Sequence, residues 1–304
     1  MSDTCAIPRM AVQRWAIAAA AAPATPGQTA TATSVTVNGS QLGAGRGQDL
    51  SDMGRPIAYH VASPTQKPVH HIAARITYTA TLIKRRLVAG APLVSVSPLA
   101  DRDIKLFTSP TATLDFDRAA FKGWLASKGL ARKTGENDIL FARRVFDLIR
   151  VNYRYVLVED QDRRATQIAA TNWSDCGGLC GLFVASLRAN GIPARMLIGW
   201  TAKPGSPRGH PHVRSEFFAM GVGWIPVEMS AAVYAKSKPT SLSFGYDAGD
   251  FITLHIDPDM VVDMKGPSGT INCPGLQTPA HSFEGDGTLD DASESITWVV
   301  RKLR

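Results

Sequence analysis

Residues 175–195 read DCGGLCGLFVASLRANGIPAR, and this stretch decides how the rest of the chain is read. Leu179, Phe183 and Leu187 recur at four-residue spacing, the stripe of a helix turned toward a core, and Asn190-Gly191 supplies its stop. The spacing predicts a helix over 176–189. Ahead of it, residues 172–175 (NWSD) form a loop of capping types, and Gly177 and Gly178 let another segment approach closely. A thiol attacks an amide only as thiolate, and a helix N-terminus with an imidazole nearby favours that form. Cys176 opens the predicted helix, with its backbone N–H placed to serve an oxyanion hole.

Working outward, strand-like runs follow at 194–199, 212–219, 223–227 and 251–256. Two helices precede. One is capped at Asp117, turns Phe121, Trp124 and Leu125 to one face and closes near Gly129. The other runs over about 136–152, with Phe141, Val145, Leu148 and Ile149 opposite Arg143, Arg144, Asp147 and Arg150. Helices followed by consecutive strands indicate an α+β domain with an antiparallel sheet. Residues 212–219 and 223–227 flank a short Gly-Val-Gly turn, so a hairpin sets His212 and Glu228 on neighbouring strands.

Two separated runs carry a resemblance. Residues 175–195 resemble the nucleophile helix of transglutaminase-like proteins, where an active-site Cys leads into an LRAxGIPAR ending. His212-Val-Arg-Ser-Glu216 and the run from Gly223 to Glu228 are similar to that family's HxWxE and GWxPxD segments, in the same order. The resemblance covers about residues 115–260, and residues 244–255 are similar to a bacterial subgroup. It implies a papain-like core, a nucleophile helix packed on an antiparallel sheet, with Cys176 as nucleophile, His212 as base and Glu228 as orienting carboxylate. It further implies a protein or peptide substrate and no cofactor or metal. Two positions depart from the pattern. Glu228 stands where Asp is usual, one methylene longer, and Arg214 stands where an aromatic is common. These departures motivate the competing reading, a binding module that keeps the fold without activity.

Toward the N-terminus, Ile72, Ala74, Ile76, Tyr78, Ala80 and Leu82 alternate with polar residues, which predicts a half-buried strand over 72–83. Residues 19–50 are rich in Ala, Thr, Gly, Ser and Pro without apolar periodicity and read as a flexible linker. Trp15 to Ala22, following Arg9 and Arg14, reads either as a secretory h-region or as part of a disordered leader, so both cytoplasmic and extracytoplasmic locations stay open. The expected organisation is a leader over 1–50, a smaller β-rich unit over 51–112 and a catalytic domain over 113–304.

The 304 residues carry 44% hydrophobic side chains, enough for a sizeable core, and a net charge of +7. Lys and Arg occur singly or in small groups such as Lys84-Arg85-Arg86, without the basic stripe of a nucleic-acid binder. No run approaches the ~20 apolar residues of a spanning helix. Four cysteines make no disulfide framework. Cys180, one helical turn after Cys176, reads as a small packed residue. His210 and His212 form an HxH pair able to enter a metal set with Cys176, but no four-ligand group is apparent, and His210 reads as a rim residue. Glu216 reads either as orienting a catalytic group or as a structural hydrogen-bond partner within the hairpin, outside the triad, and Trp224 as a sheet tryptophan or a cover for the site. Asp247, Asp250, Asp257, Asp259 and the acidic stretch 286–291 lack a calcium-loop pattern and read as turn formers.

Overall fold

Cys176–Arg188 is a helix whose residues 178–188 are all buried. The expected inward stripe is thus one side of a helix enclosed all round, which its nearly uncharged sequence permits. The computed structural model describes residues 1–39, 44–61, 67–90, 96–203, 209–265 and 268–301. It divides into two compact units, one formed by Met1–Leu82, Gly199–Pro211 and Asp250–Arg304, the other by Ile83–Ile198 and His212–Gly249.

The second unit is the α+β part. Around the Cys176–Arg188 helix lie Asp138–Asn152, Ala119–Ser127, Ala165–Thr171 and the short Met229–Tyr234 helix, joined in one apolar core. Asn137 caps Asp138–Asn152, its side chain accepting from the Leu140 N–H at 2.8 Å. Phe141, Val145 and Ile149 are buried as the stripe predicts, together with Phe146, while Leu148 is only partly buried. The helix near Asp117 begins two residues later, at Ala119, with Arg118 at the N-cap and no side-chain cap. Gly129 closes it at φ +64°. An unanticipated helix, Asp101–Thr108, falls inside the stretch expected to be β-rich.

The hairpin of this unit is antiparallel, and a short pair, Arg154–Tyr155 with Trp173–Ser174, is parallel. Pro211–Ala219 lies between Ala194–Thr201 and Gly223–Val227. Its hairpin partner is in the register Ser215↔Val227 and Phe217↔Ile225. Because side chains alternate across a strand, Val213, Phe217 and Ile225 enter the core. His212, Arg214 and Glu216 take the opposite face.

The first unit is a β-sandwich. One sheet has the strand order Ser293–Thr297, Ser2–Ala6, His71–Leu82, Gln28–Val37, and the other Ala280–Gly287, Met10–Ala20, Pro56–Val61, Ala44–Gln48. Residues 1–50, expected as a flexible leader, therefore contribute strands to both sheets. Met10–Ala20 is central and covered on both faces. Trp15, Ile17 and Ala19 join one core, and Ala18 and Ala20 join another with Trp200, Leu254 and Val262. Two-sided burial explains an apolar alanine run without alternation, which resembles an h-region in sequence. The expected half-buried strand is present as His71–Leu82, with Ile72, Ala74 and Ile76 buried. Asp250–Arg304, expected within the catalytic domain, falls in this first unit, and its strands Ala280–Gly287 and Ser293–Thr297 join the two sandwich sheets.

Candidate active site

Cys176 stands at the first helical position, directly after the N-cap Asp175. Asp175 accepts from the Gly178 N–H at 3.1 Å and is held in turn by Arg163, whose Nη2 donates to it at 2.7 Å. The capping group is thereby fixed in orientation, and the N–H groups of Cys176 and Gly177 have no acceptor within the helix. Gly178 is required by the close passage of the preceding strand. A Cβ there would lie 2.1 Å from Ser174 Oγ and 2.8 Å from Ser174 Cβ.

On the polar face of the hairpin, His212 Nε2 lies 2.9 Å from Glu228 Oε2. That contact leaves Nδ1 as the ring nitrogen for the Cys176 thiol, to which His212 is also hydrogen-bonded. Burial acts against a charged ring, but the carboxylate of Glu228 and the two hydrogen bonds outweigh it and raise the His212 pKa to about 10. Burial likewise opposes ionisation of Glu228. The charge and hydrogen bond of His212, with Arg214 and Ser230, hold its pKa down to about 2. At neutral pH the pair is an imidazolium donating to a carboxylate, and the sulfur faces the cation.

Glu228 is tied at both oxygens. Arg214 Nε donates to Oε2 at 2.8 Å and Ser230 Oγ donates to Oε1 at 2.9 Å. Arg214 continues to Asp247 Oδ1 at 3.2 Å, and Arg85 Nη2 donates to Asp247 Oδ2 at 3.2 Å and also to Glu216. Arg195 donates from Nε and Nη2 to the other Glu216 oxygen at 3.1 and 2.8 Å. The result is one chain of alternating charge from His212 to Arg195, ending where the Arg195 guanidinium lies 3.8 Å over the ring of Trp224. Each carboxylate in it has at least one arginine partner, which lets charges remain ionised at such burial.

The match with known proteins falls on this region. Residues 128–229 match the sequence family described as the transglutaminase-like superfamily. The match spans 102 of the 304 residues. In structure, the chain is similar to a candidate cysteine protease from Cytophaga hutchinsonii, with a TM-score of 0.58 and 17% identity over 98% of this chain and 88% of that one. This shows a shared fold. The periplasmic domain of TgpA from Pseudomonas aeruginosa also matches, at a TM-score of 0.37 and 13% identity, over 78% of this chain and 89% of that one. No curated protein sequence matches the chain.

The matched stretch contains all three predicted site residues, and the fold brings Cys176, His212 and Glu228 together. His210 is exposed and lies in the other unit. Cys180 is buried, with Sγ 3.4 Å from the Val213 carbonyl oxygen, and burial pushes its thiol pKa up. Glu216 lies fully buried between Arg195 and Arg85, outside the Cys–His–Glu cluster. Trp224 packs edge-on against Phe107 and Phe218. The aspartates weighed for calcium have other duties: Asp257 and Asp259 make turns at φ +57° and +60°, and Asp286 accepts from Gln13 at 3.2 Å.

Sequence reasoning did not find Ser230, Arg85 or Tyr155 as site residues, and read Asp247 only as a turn former. Ser230 lies two residues beyond Glu228, within reach of a local search for hydroxyls. Arg85 and Asp247 meet only because Arg85–Arg86 pairs with Tyr246–Asp247, both outside the matched stretch 128–229. The phenol of Tyr155 is raised by burial, with the nearby Cys176, Asp175 and Glu228 adding to it. Its ring packs edge-on against the exposed Tyr234.

Proposed function

We propose that this protein carries out cysteine-dependent amide chemistry on a protein or peptide substrate, through a thioester acyl-enzyme. The observation that carries this reading is His212 bonded to Glu228 through Nε2 and hydrogen-bonded to the Cys176 thiol. Attack by the thiolate forms a C–S bond at the substrate carbonyl carbon, and the developing oxyanion faces the open backbone N–H of Cys176. As the C–N bond breaks, His212 gives its proton to the leaving amine. Glu228 holds the imidazole in orientation and stabilises its charge, with Arg214 and Ser230 keeping the carboxylate in place.

In the second half, the incoming nucleophile gives its proton to His212 and attacks the thioester carbon, and the C–S bond breaks. Water at that step makes the protein a cysteine peptidase or amidase, and a primary amine makes it an acyltransferase. The test is mass spectrometry after incubating the full chain with an unlabelled casein digest and a biotinylated primary amine, beside a Cys176→Ala control. Cleaved or deamidated peptides, or amine adducts on glutamine, that require Cys176 are the expected result, and their kind identifies the branch. No product in either sample, with Cys176 inert to iodoacetamide, overturns the enzyme reading in favour of a binding module.

A further inference from the structure

Asp3, Cys5, His281 and Glu294 converge in the β-sandwich, far apart in sequence and distinct from the cysteine–histidine pair above. Their potential ligand atoms all lie within 4.8 Å of one another. Strand geometry explains the convergence. Asp3 and Cys5 are two residues apart and share a face of Ser2–Ala6. Glu294 stands directly opposite Cys5 in the pair with Ser293–Thr297. His281 pairs with Ile17 in the second sheet, and Ile17 faces the sandwich interior. Ser293–Thr297 and Ala280–Gly287 are the outermost strands of their sheets, so the cluster sits at the sandwich margin.

The His281 ring lies between two carboxylates of this cluster, Nε2 toward Asp3 and Nδ1 3.6 Å from Glu294 Oε1, and the Cys5 thiol stands beside them. The Asp3 side chain is fully buried, and its Oδ2 lies 2.7 Å from His281 Nε2. Both atoms are nevertheless buried without a hydrogen bond of acceptable geometry. A buried carboxylate left in that state is costly. Cys5 Sγ, 3.9 Å from Asp3 Oδ1, and Glu294 bring the donor count to four.

We propose that Asp3, Cys5, His281 and Glu294 bind a thiophilic divalent cation, Zn2+ foremost, as a closed site tying the first strand of the chain to its last two. The donor set decides the class. A thiolate and an imidazole select Zn2+-type ions over Ca2+ and Mg2+, which take oxygen ligands. Bond lengths of about 2.0–2.3 Å correspond to tetrahedral donor separations of about 3.3–3.8 Å, reached from the present spacing by small side-chain rotations. Four protein ligands leave no open position, so the role is structural.

Cobalt supplies the test. The full chain, stripped with chelator and titrated with Co2+ alone, should take up one ion per chain with tetrahedral d–d absorption and a thiolate-to-metal charge-transfer band, both erased by Zn2+. Cys5→Ser should abolish the charge-transfer band. Glu294→Gln, at a partly exposed position where folding is not at stake, should weaken affinity about tenfold or more, at least what loss of a supporting partner costs. Zn2+ should raise the melting midpoint of the parent and not of Cys5→Ser. Cys176→Ala should leave the band intact. The proposal is overturned by no stoichiometric uptake, by a band that survives Cys5→Ser, or by one that vanishes with Cys176→Ala.

Discussion

Glu228 is the side chain on which the candidate site turns, because one of its oxygens receives both His212 and Arg214. The pH dependence of stability follows with a definite sign. His212 is raised from 6.5 to about 10, so its contribution is complete below 6.5 and is lost as pH rises through 10. Glu228 is lowered from 4.5 to about 2, so its contribution is complete above 4.5 and is lost as pH falls through 2. The stability difference between the parent and Glu228→Gln, read from urea midpoints, should peak between pH 4.5 and 6.5 and shrink on both sides. Imidazole titration by NMR should show the His212 pKa falling in the variant, since burial then acts without the carboxylate. An unchanged His212 titration would mean that Glu228 is not its partner in solution. The meeting of Cys176, His212 and Glu228 is legible in the sequence because a helix start and a hairpin register place them. Arg214 stands out in sequence only as a departure from a pattern, and its bond to Glu228 requires the fold. Asp3, Cys5, His281 and Glu294 are illegible as a group, since no local spacing links the two ends of the chain.

Among the elements, the Cys176–Arg188 helix depends at its start on one small residue, Gly178. Alanine at a helical glycine ordinarily gains up to ~1 kcal/mol, so Gly178→Ala stabilises unless the contact with Ser174 wins. A Cβ 2.8 Å from another Cβ cannot be relieved by rotating a hydroxyl, and either the strand Trp173–Ser174 or the helix start must move. Gly178→Ala should therefore lose about 1–3 kcal/mol, the usual cost of overpacking, and should slow alkylation of Cys176. Gly177→Ala is the control, because there the new Cβ meets the flexible Arg163 side chain at 3.1 Å. Equal urea midpoints and labelling rates for the two variants would refute the steric argument. Elements with one buried face and clear stops were the easiest to read, as His71–Leu82 and Asp138–Asn152 show. Met10–Ala20 was not, because burial on both faces removes the period of two on which strand reading depends.

At the scale of the whole molecule, chain order and spatial order diverge in one unit and agree in the other. The sandwich takes strands from both ends: Ser2 pairs with Thr297, and the Gln13–Asp286 contact joins residues 273 apart. This is why the expected boundaries at 50 and 112 miss the observed division. A linear reading cannot see that Ala280–Gly287 and Ser293–Thr297 return to complete sheets begun at Ser2. The α+β unit is built largely from neighbours along the chain, including Ala165–Thr171 with Cys176–Arg188 and the hairpin from Pro211 to Val227. Closing long loops costs entropy before distant pairs can reward it, so local topologies fold first. On dilution from denaturant, pulsed hydrogen exchange should find amides of Asp138–Asn152 and Cys176–Arg188 protected before those of Met10–Ala20. Met10–Ala20 lies beside Ala280–Gly287 as well as Pro56–Val61, so its protection must await the C-terminal strands. Early protection of Met10–Ala20 would instead mean that the first 82 residues form a stable sheet before the C-terminal strands arrive, and that the last two strands add to a structure already closed.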